Sequence, residues 1–197
     1  QEGRAQVQKY KWEVLIKEGS HTTIAAESQG AMTTIATDFG RFNNNTLWNR
    51  TTDRKYYGPI TGSQWQRIKA IVSGGITNYF RIRGGNLLMS PTPTAGESVN
   101  FEYVSKNWVD TSGGSTANAD KFTGDSQTTV LEEELIVLGV VWRFLKLKGL
   151  PYDQQFLEYQ TRMIEYTNQD GAKPILRMAG PGRAILALNE PEGNYTL

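Results

Sequence analysis

The sequence predicts an α+β fold: a long antiparallel helix hairpin plus an N-terminal helix, with an inserted antiparallel β-sheet or sandwich region and an extended C-terminal arm. Three observations lead there. Between residues 129 and 170, apolar residues recur at helical spacing on both sides of a Gly149-Leu150-Pro151 break. Between residues 19 and 128, short Thr-rich, β-branched stretches alternate with turns bearing Gly and Asn. After Asp170 the periodicity stops, and the last stretch carries three Pro and four Gly. The domains that follow are a helical one from 1–18 and 129–170, a β-rich insertion over 19–128, and an arm over 171–197.

Taken in order, Val7, Tyr10 and Val14 fall at helical spacing between Arg4 and Lys17, with Gly19 as a stop. His21 to Glu27, Met32 to Ala36 and Phe42 to Trp48 read as strands. A hydroxyl cap at Thr61 or Ser63, then Trp65, Ile68 and Val72, gives one short helix over about 61–73. Tyr79 to Arg83 and Leu87 to Met89 flank Gly84-Gly85-Asn86, residues that accept the positive φ of a hairpin turn. Val99, Phe101 and Tyr103 then alternate along a further strand. Thr111 to Gln127 is a polar loop. Thr129-Val-Leu-Glu132 is a capping box opening a helix that runs to about Lys148, ~28 Å at 1.5 Å per residue. Gly149 and Pro151 end it. The next helix carries Phe156, Tyr159, Met163 and Tyr166 on one stripe, and so short a link folds it back on the first.

Composition narrows the chemistry. Twenty-one Lys and Arg against twenty Asp and Glu leave a net charge of +1, without the basic excess of a nucleic-acid-binding domain. With no Cys, thiol nucleophiles, disulfides and Cys-held metals are excluded, and a single histidine, His21, leaves little for a catalytic triad. Phosphate-loop, dinucleotide, zinc-protease and nucleophile-elbow motifs are absent from the sequence. The opening Gln-Glu-Gly-Arg has no basic or apolar leader, and the apolar run Leu135 to Trp142 falls far short of the ~20 residues that cross a bilayer. The expectation is a protein that is not an enzyme, needs no cofactor or metal and does not enter a membrane.

The acidic run Glu132-Glu133-Glu134 has no His or Asp at ligand spacing and reads as a complement to the helix dipole. Arg81 and Arg83 share one face of a strand, where solvent exposure accounts for them without a ligand. The helix itself is more informative. Leu131, Leu135, Leu138, Trp142 and Leu145 form one stripe, while Ile136, Val140, Val141, Phe144 and Leu147 cover much of the rest. A helix apolar nearly all round must be buried on several sides.

An ordered series of segments from Trp12 to Asp170 resembles the head-to-tail adaptor family of short-tailed bacteriophages, the tail tubular protein A or gatekeeper-like group. The segments are Trp12-Glu-Val-Leu-Ile-Lys-Glu, Asp38-Phe-Gly-Arg-Phe, Thr46-Leu-Trp-Asn-Arg-Thr51, Gly58-Pro-Ile-Thr and Gln64-Trp65-Gln66. Phe80-Arg-Ile-Arg-Gly-Gly, Pro91-Thr-Pro-Thr-Ala-Gly-Glu and Phe101-Glu-Tyr-Val-Ser-Lys-Asn-Trp108 follow. Leu131 to Leu145 with Lys148-Gly-Leu-Pro-Tyr152 completes the series.

The resemblance implies a virion structural protein in the phage neck. It would form a twelve-subunit ring beneath the portal protein, offer a platform to the tail nozzle and tail fibre, and extend the channel through which DNA passes without sequence-specific binding. Closing a ring requires two different complementary patches on each subunit. Under this reading Leu135, Leu138, Trp142 and Leu145 pack between subunits, and Arg81, Arg83, Arg143 and Lys146 are basic residues for the channel. Ile175, Leu176, Met178, Ile185, Leu186 and Tyr195 anchor the arm in a groove of the portal or a neighbouring subunit. Two other readings stand beside it. A β-rich carbohydrate- or receptor-binding tail module would use Trp48, Trp108, Tyr56 and Tyr57. A hydrolase would bring Glu27 or Asp38 together with Glu102.

Overall fold

The structure is a computed structural model that describes residues 2–70, 77–113 and 117–171. Its body is a curled mixed sheet of eight strands, a half-barrel, which overturns the expected helix hairpin with an inserted antiparallel sheet. The described helices are short: α1 (Glu2–Lys9), α2 (Met32–Ile35), α3 (Gly62–Ala70), α4 (Glu133–Leu147) and α5 (Asp153–Gln169). The arm anchors Ile175, Leu176, Met178, Ile185, Leu186 and Tyr195, and positions 71–73 of the short helix, lie outside the described residues.

The main sheet runs β1 (Ile16–Thr22), β8 (Ser98–Ser105), β4 (Trp48–Asn49), β5 (Arg54–Tyr57), β6 (Asn78–Arg83), β7 (Asn86–Ser90) and β2 (Ser28–Ala31), with β3 (Phe39–Phe42) also on β8. Of its seven strand pairings six are antiparallel; β5 and β6 are parallel, joined by the α3 crossover, which makes the sheet mixed. The hairpin β6–β7 forms where the Gly84-Gly85 turn predicts it, with φ of 58° and 77°. A separate two-stranded ribbon joins β9 (Val109–Asp110) to β10 (Thr128–Thr129).

Side chains on the concave face make one core: Met32, Leu47, Tyr56, Phe80, Leu87, Met89, Val99, Phe101 and Tyr103 are buried there. Phe42 stacks on Phe101 at 5.2 Å and tilts against Phe80 at 4.9 Å between ring centres. The second core lies at the other end, where Trp12, Leu15, Trp108, Leu131, Leu135, Tyr159 and Met163 bring α1, α4 and α5 against the end of β8.

Three local expectations are corrected. The N-terminal helix stops at Lys9 rather than Lys17, because Trp12 turns into the second core and a short turn over Glu13–Leu15 leads into β1. Met32 to Ala36 is a helical turn, not a strand. Thr129 sits in β10 opposite Val109, its hydroxyl accepting from the Leu131 amide at 3.0 Å, so α4 begins at Glu133 without that capping box. The reciprocal cap appears at α3 instead, where Thr61 N–H donates to Gln64 Oε1 at 3.0 Å and the Gln64 amide to Thr61 Oγ1 at 3.4 Å.

Candidate functional site

The most unusual surface is on α4. Leu135 and Gly139 are buried, and Leu138 and Trp142 pack against the second core, with Trp142 5.0 Å from Phe156 and 6.1 Å from Tyr159. These residues, with half-buried Leu145, turn toward the chain's own interior. The opposite face stays uncovered: Val137, Val140, Val141, Phe144 and Leu147 are exposed, Phe144 by 54% and Leu147 by 86%. Their spacing of three and four residues aligns them in one stripe. Burying such a side chain completely is worth about 1.5–3 kcal/mol, so the stripe holds several kcal/mol that the isolated chain leaves unused. On α5, Leu157 and Ile164 are exposed as well.

Glu2, buried behind this face, and Asp38, half-buried at the β1–β8 junction, are the carboxylates that tie elements together. Glu2 of α1 is 4% exposed. Its Oε1 accepts from the Tyr159 hydroxyl at 2.8 Å and from Gln6 Nε2 at 3.2 Å. Its Oε2 lies 2.5 Å from Arg143 Nε with the N–H directed off the oxygen, so that contact is an ion pair rather than a formed hydrogen bond. The approach depends on Gly139, where a Cβ would stand 2.4 Å from Glu2 Cδ. Burial, then the bond to Glu2, pushes the Tyr159 hydroxyl well above the usual phenol range.

Asp38 is the second. It accepts from the Tyr103 hydroxyl at 2.6 Å, the Ser105 hydroxyl at 2.8 Å and Lys17 Nζ at 2.7 Å. Burial pushes its carboxyl up, but those three donors and the Lys17 charge outweigh burial and hold it down at about 2. Lys17 also donates to Ala117 O at 3.0 Å, so one junction ties β1, β8 and the loop after β9. At the helical end, a cleft of about 330 Å³ is lined by Trp12, Val14, Leu131, Tyr166 and Asp170. Asp170 closes one wall by accepting from the Glu13 amide at 2.5 Å.

The four basic channel candidates divide between two elements. Arg81 and Arg83 stand on β6, Arg81 beside Gly62 at the start of α3. Arg143 and Lys146 stand on α4; Arg143 is committed to Glu2, and both cations lie over the Trp142 ring, at 5.1 Å and 5.9 Å. Of the aromatics expected on a sugar-binding module, Trp108 and Tyr56 are buried, while Trp48 and Tyr57 are exposed. Glu27 pairs with Lys69 and Asp38 with Lys17, so neither meets Glu102; the carboxylate that faces Glu102 is Glu18, across the β1–β8 register. Sequence reasoning missed Glu18 because it placed this segment at the end of a helix. Among the described residues no group of three or more His, Asp or Glu side chains could hold a metal ion, and no helix is long and apolar enough to cross a membrane.

No protein-family model matches the chain, and no curated protein matches it in sequence.

Proposed function

We propose that the protein is a structural head-to-tail adaptor of a short-tailed phage, a subunit of a ring that joins the portal to the tail nozzle and extends the DNA channel. The observation that carries the assembly half is the uncovered stripe Val137, Val140, Val141, Phe144 and Leu147. A monomer seldom leaves a row of large apolar side chains along one helix in water, and such a row is ordinarily an interface. The phage half rests on the ordered segments from Trp12 to Asp170.

In a ring the contact is head-to-tail, so the stripe meets a different patch on the next subunit. The cleft between Trp12, Val14, Leu131 and Tyr166 is suited to receive it, being concave, partly apolar and bordered by exposed Val14. Arg143, tied to Glu2, has a structural role in this reading, which leaves Lys146, Arg81 and Arg83 as the freer cations toward DNA.

Electron microscopy of the full chain mixed with its portal protein tests the proposal. A ring seated under the portal is the expected outcome. A chain that stays monomeric at high concentration and has no affinity for the portal overturns it.

A further inference from the structure

We infer that the outer face of the sheet at Trp48 is a binding cleft for a neutral saccharide, a role separate from ring assembly and independent of it. Along β1, β8, β4 and β5 the inward positions Gly19, Val99, Phe101, Asn49 and Tyr56 alternate with outward Glu18, Asn100, Glu102, Trp48 and Tyr57. Of the outward set, Glu18, Asn100, Glu102 and Trp48 border a cleft of about 340 Å³ that Asn45, Thr46 and Arg50 complete. That is the lower end of the ~300–1,000 Å³ typical of small-ligand sites.

The register sets Glu18 directly opposite Glu102. Like charges facing each other across a strand pair destabilise the sheet, and such a breach of local rules is characteristic of functional positions. Each carboxylate is partly compensated through one oxygen only. Glu18 Oε1 takes Arg50 and, at 2.9 Å, Asn100 Nδ2; Glu102 Oε2 takes Asn43 Nδ2 at 2.7 Å. Glu18 Oε2 and Glu102 Oε1 have no bond among the described residues and remain acceptors on the cleft. Next to them stands the Trp48 indole, 39% exposed, with Lys55 Nζ 5.9 Å from its ring centre and Tyr57 on the following strand.

This combination matches a pyranose. The apolar C–H face of the sugar packs on the indole, and neighbouring hydroxyls donate to the free carboxylate oxygens and accept from Arg50 and the amides. A nucleic acid is a poor fit, because Arg50 is paired with Glu18, Glu102 is left uncompensated by a cation in the cleft lining, and Lys55 stands over the neighbouring Trp48 ring rather than in that lining. An added peptide strand is also a poor fit, because β8 and β4 are interior strands with no free edge. The same charge balance selects neutral sugars over uronic acids.

Calorimetric titration of the full chain with tetrasaccharides of glucose, mannose, galactose and N-acetylglucosamine, and with tetragalacturonate as the acidic arm, tests this. Binding of at least one neutral tetrasaccharide at millimolar affinity or tighter is expected, with tetragalacturonate at least tenfold weaker. Trp48→Ala should weaken it tenfold or more, and Glu102→Gln several-fold, with unchanged far-ultraviolet circular dichroism. No heat from any neutral sugar up to about 10 mM, stronger binding of the acidic sugar, or full binding by folded Trp48→Ala each overturns the proposal. Loss of ring formation would leave it standing, since the cleft shares no residue with the α4 stripe.

Discussion

Phe101 lies 1% exposed in the concavity of the sheet, while Phe144 stands 54% exposed on α4. The two residues have the same chemistry and are surrounded differently. Around Phe101 the curled sheet closes on itself, with Phe42, Tyr103 and the Cβ-less Gly19 supplying contacts from three strands. Phe144 keeps over half of its surface exposed, with the Lys148 ammonium 5.7 Å from its ring. The sheet half is therefore complete as a single chain, and the helical half has one finished side and one unfinished side. A difference of this kind separates the residues that fold the chain from those its own fold leaves uncovered.

The largest loss of stability is expected at Phe101. Phe101→Ala empties a site sealed on all sides and should cost about 3–5 kcal/mol, read as a lower midpoint in urea unfolding. A loss below about 1 kcal/mol would mean that the concave core is not closed as described.

The next largest effects are expected at Asp38 and at the Glu2–Gly139 contact. Asp38→Asn leaves Lys17 without its charge partner and should cost about 2–4 kcal/mol in the same unfolding experiment. Because the Asp38 carboxyl is held near 2 in the folded chain, below its ordinary 3.8, its contribution is present above that ordinary value and is lost as pH falls through about 2. Wild-type stability should fall across that window, and the fall should be shallower in Asp38→Asn. At the helical end, Gly139→Ala forces a methyl group into Glu2 and should cost about 1–3 kcal/mol by displacing α1. Hydrogen exchange localised to Glu2–Lys9 would report it.

How far the sequence foretold this layout depends on what fills each inward position. The β6–β7 hairpin and β8 were legible, because Gly84-Gly85 accept positive φ and Val99, Phe101 and Tyr103 alternate cleanly. β1 was not, since its inward residue is Gly19 and the volume there is filled by the Phe101 ring from the opposite strand. No period-two apolar signal survives when the core side chain belongs to the neighbour. β4 and β5 are equally quiet, with Asn49 and Tyr56 as their buried positions. The limits of α4 and α5 were close, because Gly149 at φ 68° does end α4 and the two helices pack together. Which stripe of α4 faced inward could not be read, as both are apolar; α1 decided it by bringing Glu2 onto Gly139. The Glu18–Glu102 pair was likewise hidden, 84 residues apart in the chain and joined only by strand register.

The smallest stability effect and the largest functional one should coincide at the exposed phenylalanine. Phe144→Ser removes a ring that touches little of its own chain, so unfolding should shift by no more than about 0.5 kcal/mol. If α4 is the assembly face, the same change weakens every subunit contact it occupies, and a closed ring repeats that contact at each interface. Sedimentation should then show the variant as a folded monomer where the parent forms rings. A variant that loses stability as Phe101→Ala does would place Phe144 in the interior of the chain, and the distinction between a finished and an unfinished half would fail with it.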